Sequence, residues 1–226
     1  MTRILGHVCT RNEGDRYLDA SLRWHNTMCD VIHVYDDQST DRTVAVATAA
    51  GALVDVRNDN DPAFLEHEGE FRQAAWRAFE IATSPVAGDW VLAFDADEFV
   101  VATNGRDETT MLQQLISMAR IDKVGSWKLR VDEIFDAEAG ARRVDGFWGD
   151  ISAVRFIQYR GLGHFANRKM GCGSVPTYGV QEPGDARKFP ISIMHYGYAD
   201  PADRVRKHAL YTSILNSMPT KSAWKV

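Results

Sequence analysis

Residues 90–99 read WVLAFDADEF, so a fully apolar run of strand length is followed at once by three carboxylates within four positions. A short strand that is apolar throughout is typical of the centre of a parallel sheet covered on both faces. Carboxylates this close together repel one another, and burying them unpaired would cost several kcal/mol each. A hard divalent ion, Mg²⁺ or Mn²⁺, would offset that cost through oxygen ligands. The alternative is an exposed acidic turn or helix cap.

Strand-like and helix-like segments alternate around this stretch through the first hundred residues. The hydrophobic pattern predicts strands at 4–9, 31–35, 52–56 and 90–94, and helices at 15–28, 39–50 and 68–82. Further along it predicts helices at 111–119 and 204–215 and strands at 126–131 and 151–159. This alternation predicts an α/β fold with a mostly parallel central sheet flanked by helices. At 226 residues, we expect one domain over 1–226.

The composition argues against several classes of protein. No apolar run approaches the roughly 20 residues that span a membrane, and the first residues lack the pattern of a signal peptide. Three well-separated cysteines form neither a disulfide framework nor a zinc motif. We therefore expect a cytoplasmic protein without a transmembrane segment. A net charge of −5 without long runs of one sign argues against bulk nucleic acid as a partner, but allows an acidic small molecule in a local cationic pocket.

Two more polar clusters directly follow predicted strands. Residues 10–13 read TRNE, and residues 36–43 read DDQSTDRT. Because the carboxyl ends of parallel strands form the ligand crevice of an open sheet, we expect both clusters to converge with residues 95–98. Polar loops after strands also occur without any ligand. Three clusters rich in carboxylates nevertheless favour a functional site.

The second cluster contains both a helix-capping signal and a ligand signal. Ser39 or Thr40 can cap the helix that follows, which explains the hydroxyl groups without a ligand. Capping does not explain two adjacent acids at a strand end. We expect a structural role for Asp36 and a ligand role for Asp37, whose carboxylate could accept an N–H from a nucleobase.

The three motifs together resemble the family 2 glycosyltransferases, which have the GT-A fold. That family carries a T-x-N-E-like stretch, a D-D-x-S-x-D-x-T segment and a D-x-D after an apolar strand, in the order found here, and the likeness covers about the first hundred residues. It implies a Rossmann-like nucleotide-sugar-binding half at 1–101 and a mixed acceptor-binding half at 102–226. It also implies a hexosyltransferase-like enzyme that uses Mn²⁺ or Mg²⁺ and moves a sugar from a nucleoside-diphosphate donor, above all a UDP-sugar, with inversion. The acceptor would be a hydroxyl of a carbohydrate, a protein or a small molecule.

The resemblance implies roles for individual residues. Those expected to bind the nucleotide sugar are Thr10, Arg11, Asn12, Glu13, Asp36, Asp37, Arg72, Asp95, Ala96 and Lys207. Those expected to hold the metal are Asp95, Asp97 and His195, the last of which follows a late apolar run. Arg72 could equally be a solvated helix residue, and His195 could equally be structural.

The acceptor hydroxyl needs a base within hydrogen-bond reach, and a carboxylate is the usual choice. The catalytic candidates are Glu133, Asp132 and Asp145. Glu133 and Asp132 follow a predicted strand, whereas Asp145 precedes aromatic residues that could stack on a sugar ring. We expect Glu133 to be the base and Asp145 to bind the acceptor.

Other functions are possible for a chain with these motifs. A sugar-phosphate nucleotidyltransferase shares the need for nucleotide and metal, but usually has a glycine-rich basic loop after the first strand, where this chain has TRNEGD. A phosphatase would place its D-x-D after the first strand of the domain. A non-catalytic nucleotide-sugar-binding protein of the same fold is a third alternative. No G-x-G-x-x-G after the first strand, no G-x-x-x-x-G-K-[ST] and no G-x-S-x-G motif is present.

Overall fold

Strands and helices alternate along the chain, as the hydrophobic pattern predicts. The computed structural model describes residues 2–144, 150–161, 163–178 and 183–217. The first half contains β1 (Ile4–Thr10), α1 (Leu18–His25), β2 (Val31–Asp36), α2 (Thr43–Ala49), β3 (Leu53–Val56), α3 (Glu68–Thr83), β4 (Trp90–Ala93) and β5 (Glu98–Ala102). The second half contains α4 (Glu108–Asp122), β6 (Ser126–Asp136), β7 (Ala141–Arg142), β8 (Ile151–Gln158), β9 (Gly184–Asp185), a 3₁₀ turn (Ala186–Lys188), β10 (Ile191–His195) and α5 (Pro201–Ser217).

One sheet joins both halves of the chain, in the strand order β3-β2-β1-β4-β8-β6-β10-β5. Strands β1 to β4 run parallel to one another, and β6 and β10 run parallel to each other. Because β8 is antiparallel to both β4 and β6, these two groups of strands point the same way. The edge strand β5 runs antiparallel to β10. The predicted α/β fold with a mostly parallel sheet is confirmed, and β4 lies centrally as its apolar sequence indicates.

Helices cover both faces of the sheet, and the side chains of β1 alternate between them. Ile4 and Val8 pack in the larger core with residues of α1, α2 and α4, whereas Leu5 packs on the opposite face against Trp76 and Phe79 of α3. This alternation follows from the two-residue period of a strand. The sheet is therefore fixed from both sides, which holds the carboxyl ends of its strands in register.

The start of α2 differs from the sequence prediction. The helix begins at Thr43, and the Asp41 carboxylate accepts from the Thr43 N–H at 2.9 Å. Ser39 does not cap it, because its hydroxyl donates to Asp36 Oδ1 at 2.5 Å and accepts from the Asn12 N–H at 2.8 Å. The prediction of a Ser39 or Thr40 cap was wrong, since these polar groups have partners in the neighbouring loops. Strand β5 was also not predicted, because it begins at Glu98, the last residue of the acidic cluster.

None of the helices in the described part of the chain combines the length and the apolar character that crossing a membrane requires.

His25 is expected to make the stability of the fold depend on pH. It is fully buried and stacks on Phe94 with 3.6 Å between the ring centroids. Its Nδ1 faces the Ser21 carbonyl at 2.8 Å, and its Nε2 accepts from the Val100 N–H at 3.4 Å, so the imidazole is neutral. Burial lowers the pKa of His25 to about 3, although the hydrogen bond to the Ser21 carbonyl acts to raise it.

Below pH 6.5 the unfolded chain therefore binds more protons at His25 than the folded chain does. We expect this group alone to lower the free energy of unfolding by about 1.4 kcal/mol per pH unit as the pH falls from 6.5 towards 3. Urea unfolding at pH 7, 6 and 5 measures the slope. The His25→Gln variant, which cannot take up the proton, is the control and should have a shallower slope. Equal slopes in both proteins would contradict the assignment.

Candidate active site

The three polar clusters meet at one edge of the sheet, where β1, β2 and β4 end side by side. Strand β1 lies between the other two and pairs with both in parallel. Asn12 joins the first two clusters, because its N–H donates to Ser39 Oγ and its side-chain oxygen accepts from the Thr40 N–H, both at 2.8 Å. The φ of Asn12 is 55°, a left-handed conformation that asparagine tolerates better than most residues. This edge is the candidate site.

Asp37 is buried at this edge, with 1% of its surface exposed. Arg57 Nε donates to its Oδ1 at 2.5 Å, while Oδ2 accepts from the Phe64 N–H at 3.3 Å and lies 3.4 Å from an Arg11 nitrogen. Asp37 therefore positions two arginines, of which Arg57 was not predicted from the sequence. Arg11, whose side chain is 47% exposed, is the one that a ligand can reach. Thr10 Oγ1 beside them is buried without a hydrogen-bond partner among the described residues.

Glu13 connects the first cluster to the C-terminal helix. Its Oε1 accepts from Arg16 at 2.5 Å, and Arg16 also pairs with Asp203 in the first turn of α5. Burial raises the pKa of Glu13, although the Arg16 charge acts in the opposite direction. These contacts fix α5 across the carboxyl edge of the sheet.

Asp97 lies at the centre of a connected set of charged side chains. Its Oδ1 is 3.4 Å from His195 Nε2, and its Oδ2 accepts from Lys207 Nζ at 3.2 Å. On the far side of the imidazole, Glu133 Oε1 is 2.8 Å from His195 Nδ1. The sheet explains this arrangement, because β10 lies between β5 and β6 and brings His195 level with Glu133. Four residues proposed from separate parts of the sequence are thus in contact.

The charges in this set change the ionisation of its members. Burial would raise the pKa of Asp97, but the His195 and Lys207 charges hold it well below its usual range. Burial would likewise lower the pKa of His195, but the Asp97 and Glu133 carboxylates raise it well above its usual value. In this arrangement the carboxylate of Asp97 is ionised and the imidazole of His195 is protonated.

Gly197 leaves the space in which these groups meet. A Cβ atom at this position would lie 2.2 Å from Lys207 Nζ, 2.6 Å from His195 Nε2 and 2.8 Å from Asp97 Oδ2. Since real Cβ atoms do not approach other atoms so closely, any larger residue would push the three groups apart. Sequence reasoning missed this role, which depends on the close approach of three distant segments.

Arg155 pairs with the other two carboxylates of the acidic cluster. Its guanidinium donates to Asp95 Oδ2 at 3.1 Å and to Glu98 Oε1 at 2.6 Å. The pairing of β6 with β8 shifts at Arg155, which is the extra residue of a β-bulge, a feature that often redirects a side chain near a site. Ala96, between the acids, is buried in the core. The chain's own cations therefore relieve the repulsion expected within the cluster, so this repulsion does not by itself require an ion.

The residues that fit a divalent ion are Asp97 and His195, whose Nε2 would have to lose its proton because a metal binds only the neutral imidazole. Two ligands about 2.1 Å from an ion in neighbouring octahedral positions are about 3.0 Å apart, close to the 3.4 Å found between Asp97 Oδ1 and His195 Nε2. A carboxylate behind the imidazole, as Glu133 is here, is typical of metal-binding histidines. Asp95, the third predicted ligand, lies on Arg155 instead. In the part of the chain that the structure describes, no three His, Cys, Asp or Glu side chains are grouped to hold a metal.

Arg72 is a buried residue and not a solvated one. Its Nε donates to Glu68 Oε1 at 2.8 Å, and Glu68 Oε2 in turn accepts from the N–H groups of Gly171 at 2.6 Å and Cys172 at 3.0 Å. The loop around residues 165–173 is thus attached to the start of α3. A Cβ atom on Gly69 would lie 2.2 Å from a carbonyl of this loop.

The predicted catalytic carboxylates have different surroundings. Glu133 is 5% exposed, and its Oε2 has no hydrogen-bond partner among the described residues. Asp132 accepts from Arg130 and from Arg142, each at 2.8 Å. Asp145 lies outside the described residues. The assignment of the base to one of them stays a prediction.

Comparison with known proteins finds similarity at the level of structure. No family model matches the sequence, and no curated protein matches it. The chain is similar to the crystal structure of S. aureus TarS 1–349 in complex with UDP-GlcNAc, with 17% identity, 59% of this chain and 35% of that chain covered, and a TM-score of 0.43. It is also similar to glucosyl-3-phosphoglycerate synthase from Mycobacterium tuberculosis in complex with Mg²⁺ and UDP, with 20% identity, 57% and 44% covered, and a TM-score of 0.39.

A third similar structure is mannosyl-3-phosphoglycerate synthase from Rubrobacter xylanophilus, with 22% identity, 63% of this chain and 44% of that chain covered, and a TM-score of 0.40. The match covers less than half of each of these three proteins.

Proposed function

We propose that this chain is a glycosyltransferase that moves a sugar from a nucleoside-diphosphate donor, a UDP-sugar in particular, to an acceptor hydroxyl. The observation that carries the proposal is the meeting of Asp97, His195 and Lys207 at the carboxyl edge of the sheet, next to the clusters that follow β1 and β2. This edge combines an ionised carboxylate with fixed cations, which suits a donor whose leaving group is a diphosphate.

Each half of the chain has a separate task in this proposal. Residues 1–101 bind the donor, with Arg11 and Thr10 next to the nucleoside and Asp37 holding Arg11 in place. Residues 102–226 bind the acceptor, which is a carbohydrate, a protein or a small molecule. Lys207 reaches back from the second half to the diphosphate.

A divalent ion, Mn²⁺ or Mg²⁺, held by Asp97 and His195, would supply positive charge to the departing diphosphate. Magnesium commonly uses one or two protein side chains and takes its other ligands from water and substrate phosphates, so a site of two residues is sufficient. Glu133 orients the His195 imidazole through their 2.8 Å contact. Lys207 adds a fixed charge on the same side of the site.

The proton of the acceptor hydroxyl passes to a carboxylate of the second half, and the sugar is transferred with inversion at the anomeric carbon. Inversion requires a base on the face of the sugar opposite the leaving group. Glu133, Asp132 and Asp145 are the residues proposed for this step from the sequence. Their separate variants, of which Glu133→Gln is argued below, decide among them.

Calorimetric titration of UDP into the protein, with Mn²⁺ and with a chelator, tests the proposal. We expect tight binding with Mn²⁺ and much weaker binding with the chelator, because the diphosphate and the Asp97 carboxylate repel each other without a cation between them. Titrations with ADP and GDP identify the nucleobase that the site prefers. Equal affinities with and without chelator would contradict the proposal that a metal ion holds the diphosphate. If no nucleoside diphosphate binds, the proposed glycosyltransferase function is contradicted.

Two activity measurements distinguish the alternatives. A sugar-phosphate nucleotidyltransferase would release pyrophosphate from a nucleoside triphosphate in the presence of a sugar phosphate. A glycosyltransferase would instead release UDP as the sugar passes from the donor to an acceptor hydroxyl, or slowly to water. A non-catalytic binding protein would bind the donor and release neither product. We expect release of UDP alone.

A further inference from the structure

The ammonium group of Lys207 contacts the same Asp97 carboxylate that would hold a divalent ion. Lys207 Nζ is 3.2 Å from Asp97 Oδ2, while His195 Nε2 is 3.4 Å from Oδ1 of the same carboxylate. A Cβ atom on Gly197 would come within 2.8 Å of all three of these groups, so they surround one small space. An ion ligated by Asp97 lies about 2.1 Å from one of its oxygens, and therefore shares the carboxylate with the ammonium.

Lys207 is held in this position by the helix that carries it. Arg204 of α5 donates to the carbonyl oxygens of Phe135 at 2.7 Å and of Tyr198 at 2.8 Å. Asp203 pairs with Arg16 beside the first cluster. The ammonium also lies 4.9 Å from the centre of the Tyr198 ring, and the side chain is only 17% exposed. The lysine is thus a built-in counter-ion of Asp97 and not a freely moving surface charge.

We propose that Lys207 and the divalent ion compete for Asp97, so that the ion binds well only when a donor diphosphate is present to take the ammonium. Like charges that share one carboxylate in a partly buried site disfavour each other. A diphosphate offers Lys207 new oxygen partners. The ammonium can then move away from the Asp97 carboxylate, which becomes free to bind the ion. The ion and the nucleotide then raise each other's affinity, and this coupling is reciprocal. The inference rests on the proposed function and adds an order of events to it.

The test is a titration of Mn²⁺ into the full chain without nucleotide. The electron paramagnetic resonance signal of free Mn²⁺ measures how much of the ion is bound. We expect Lys207→Met, which keeps most of the length of the side chain and removes its charge, to bind Mn²⁺ about tenfold or more tightly than the unchanged protein. This is a modest effect for losing one like charge at such a distance. The same variant should bind UDP more weakly at saturating Mn²⁺, because the diphosphate loses a cationic partner. The factor by which UDP increases Mn²⁺ affinity should shrink accordingly.

Arg206→Met is the matched control. It removes a positive charge one residue away on the same helix, but this guanidinium lies 3.2 Å from Asp203 and is 54% exposed. We expect its Mn²⁺ affinity to stay within about twofold of the unchanged protein, since screened surface charges have small effects. Circular dichroism and thermal unfolding of both variants confirm that they fold.

The outcomes separate this inference from the proposed function. Unchanged or weaker Mn²⁺ binding by folded Lys207→Met overturns the competition, even where UDP still binds with metal dependence. An equal gain in Arg206→Met overturns it too, because the effect would then be one of general charge. If Mn²⁺ binds none of these proteins even with UDP present, the metal dependence of the proposed function is wrong. The competition between Lys207 and the ion is then wrong as well.

Discussion

Replacing Asp97 with asparagine should abolish sugar transfer, lowering kcat/KM by about 10³-fold or more while leaving the fold intact. The amide keeps the shape of the side chain but removes the negative charge that His195 and Lys207 both face. Two cationic groups would then face each other across a neutral residue, and the ion would lose its carboxylate ligand. UDP release from the donor sugar at limiting Mn²⁺ measures the effect.

Asp95→Asn is the matched comparison for this variant. Asp95 belongs to the same acidic cluster, but its carboxylate lies on Arg155. We therefore expect Asp95→Asn to weaken Mn²⁺ binding much less than Asp97→Asn does. Near-normal turnover of Asp97→Asn at limiting Mn²⁺ would contradict its role as a ligand, and equal losses in both variants would show that the two acids share the ion.

A second measurement on Asp97→Asn is independent of turnover. Burial lowers the pKa of His195, and the Asp97 charge is foremost among the interactions that raise it. Without that charge the pKa of His195 should fall, so the imidazole should lose its proton at a lower pH. Nuclear magnetic resonance of the histidine ring protons as a function of pH records this shift, and an unchanged titration would contradict the contact.

Local patterns in the sequence were sufficient to predict the carboxyl edge of the sheet. The apolar run at 90–94 predicts a central strand whatever its partners are, and the polar residues directly after it must lie at its end. The same reasoning holds for residues 10–13 and 36–43. Because parallel strands end together, three separate stretches could be assigned to one site without knowledge of the register.

What the sequence did not predict depends on contacts between distant residues. Arg155 meets the acidic cluster through a β-bulge whose position follows from the pairing of β6 with β8. Lys207 meets Asp97 from 110 positions further along the chain. The repulsion within the cluster therefore does not by itself indicate an ion, since the cations that neutralise it belong to segments that a local pattern does not connect. Gly197 was missed likewise, because its role is to leave space.

Glu133 was predicted to be the general base, and its place in the structure suggests a different use of the same carboxylate. It is 5% exposed and lies 2.8 Å from His195 Nδ1, on the side of the imidazole opposite Asp97. A base must reach the acceptor hydroxyl directly, whereas a residue behind a metal ligand acts by fixing the orientation of that ligand. The two roles predict different effects of one substitution.

Glu133→Gln should weaken Mn²⁺ binding in the presence of UDP by about 10- to 100-fold, the usual scale for losing a group that orients a metal ligand. Turnover at saturating Mn²⁺ should recover much of the loss. If Glu133 is instead the base, kcat should fall by about 10²-fold at every Mn²⁺ concentration, with the affinities for Mn²⁺ and UDP unchanged. Asp132→Asn is the matched control, because this neighbouring carboxylate is held by Arg130 and Arg142 and not by the imidazole. A loss of kcat without a loss of Mn²⁺ affinity in Asp132→Asn or Asp145→Asn, alongside recovery of Glu133→Gln by Mn²⁺, would assign the base to that residue and leave Glu133 as the partner of His195.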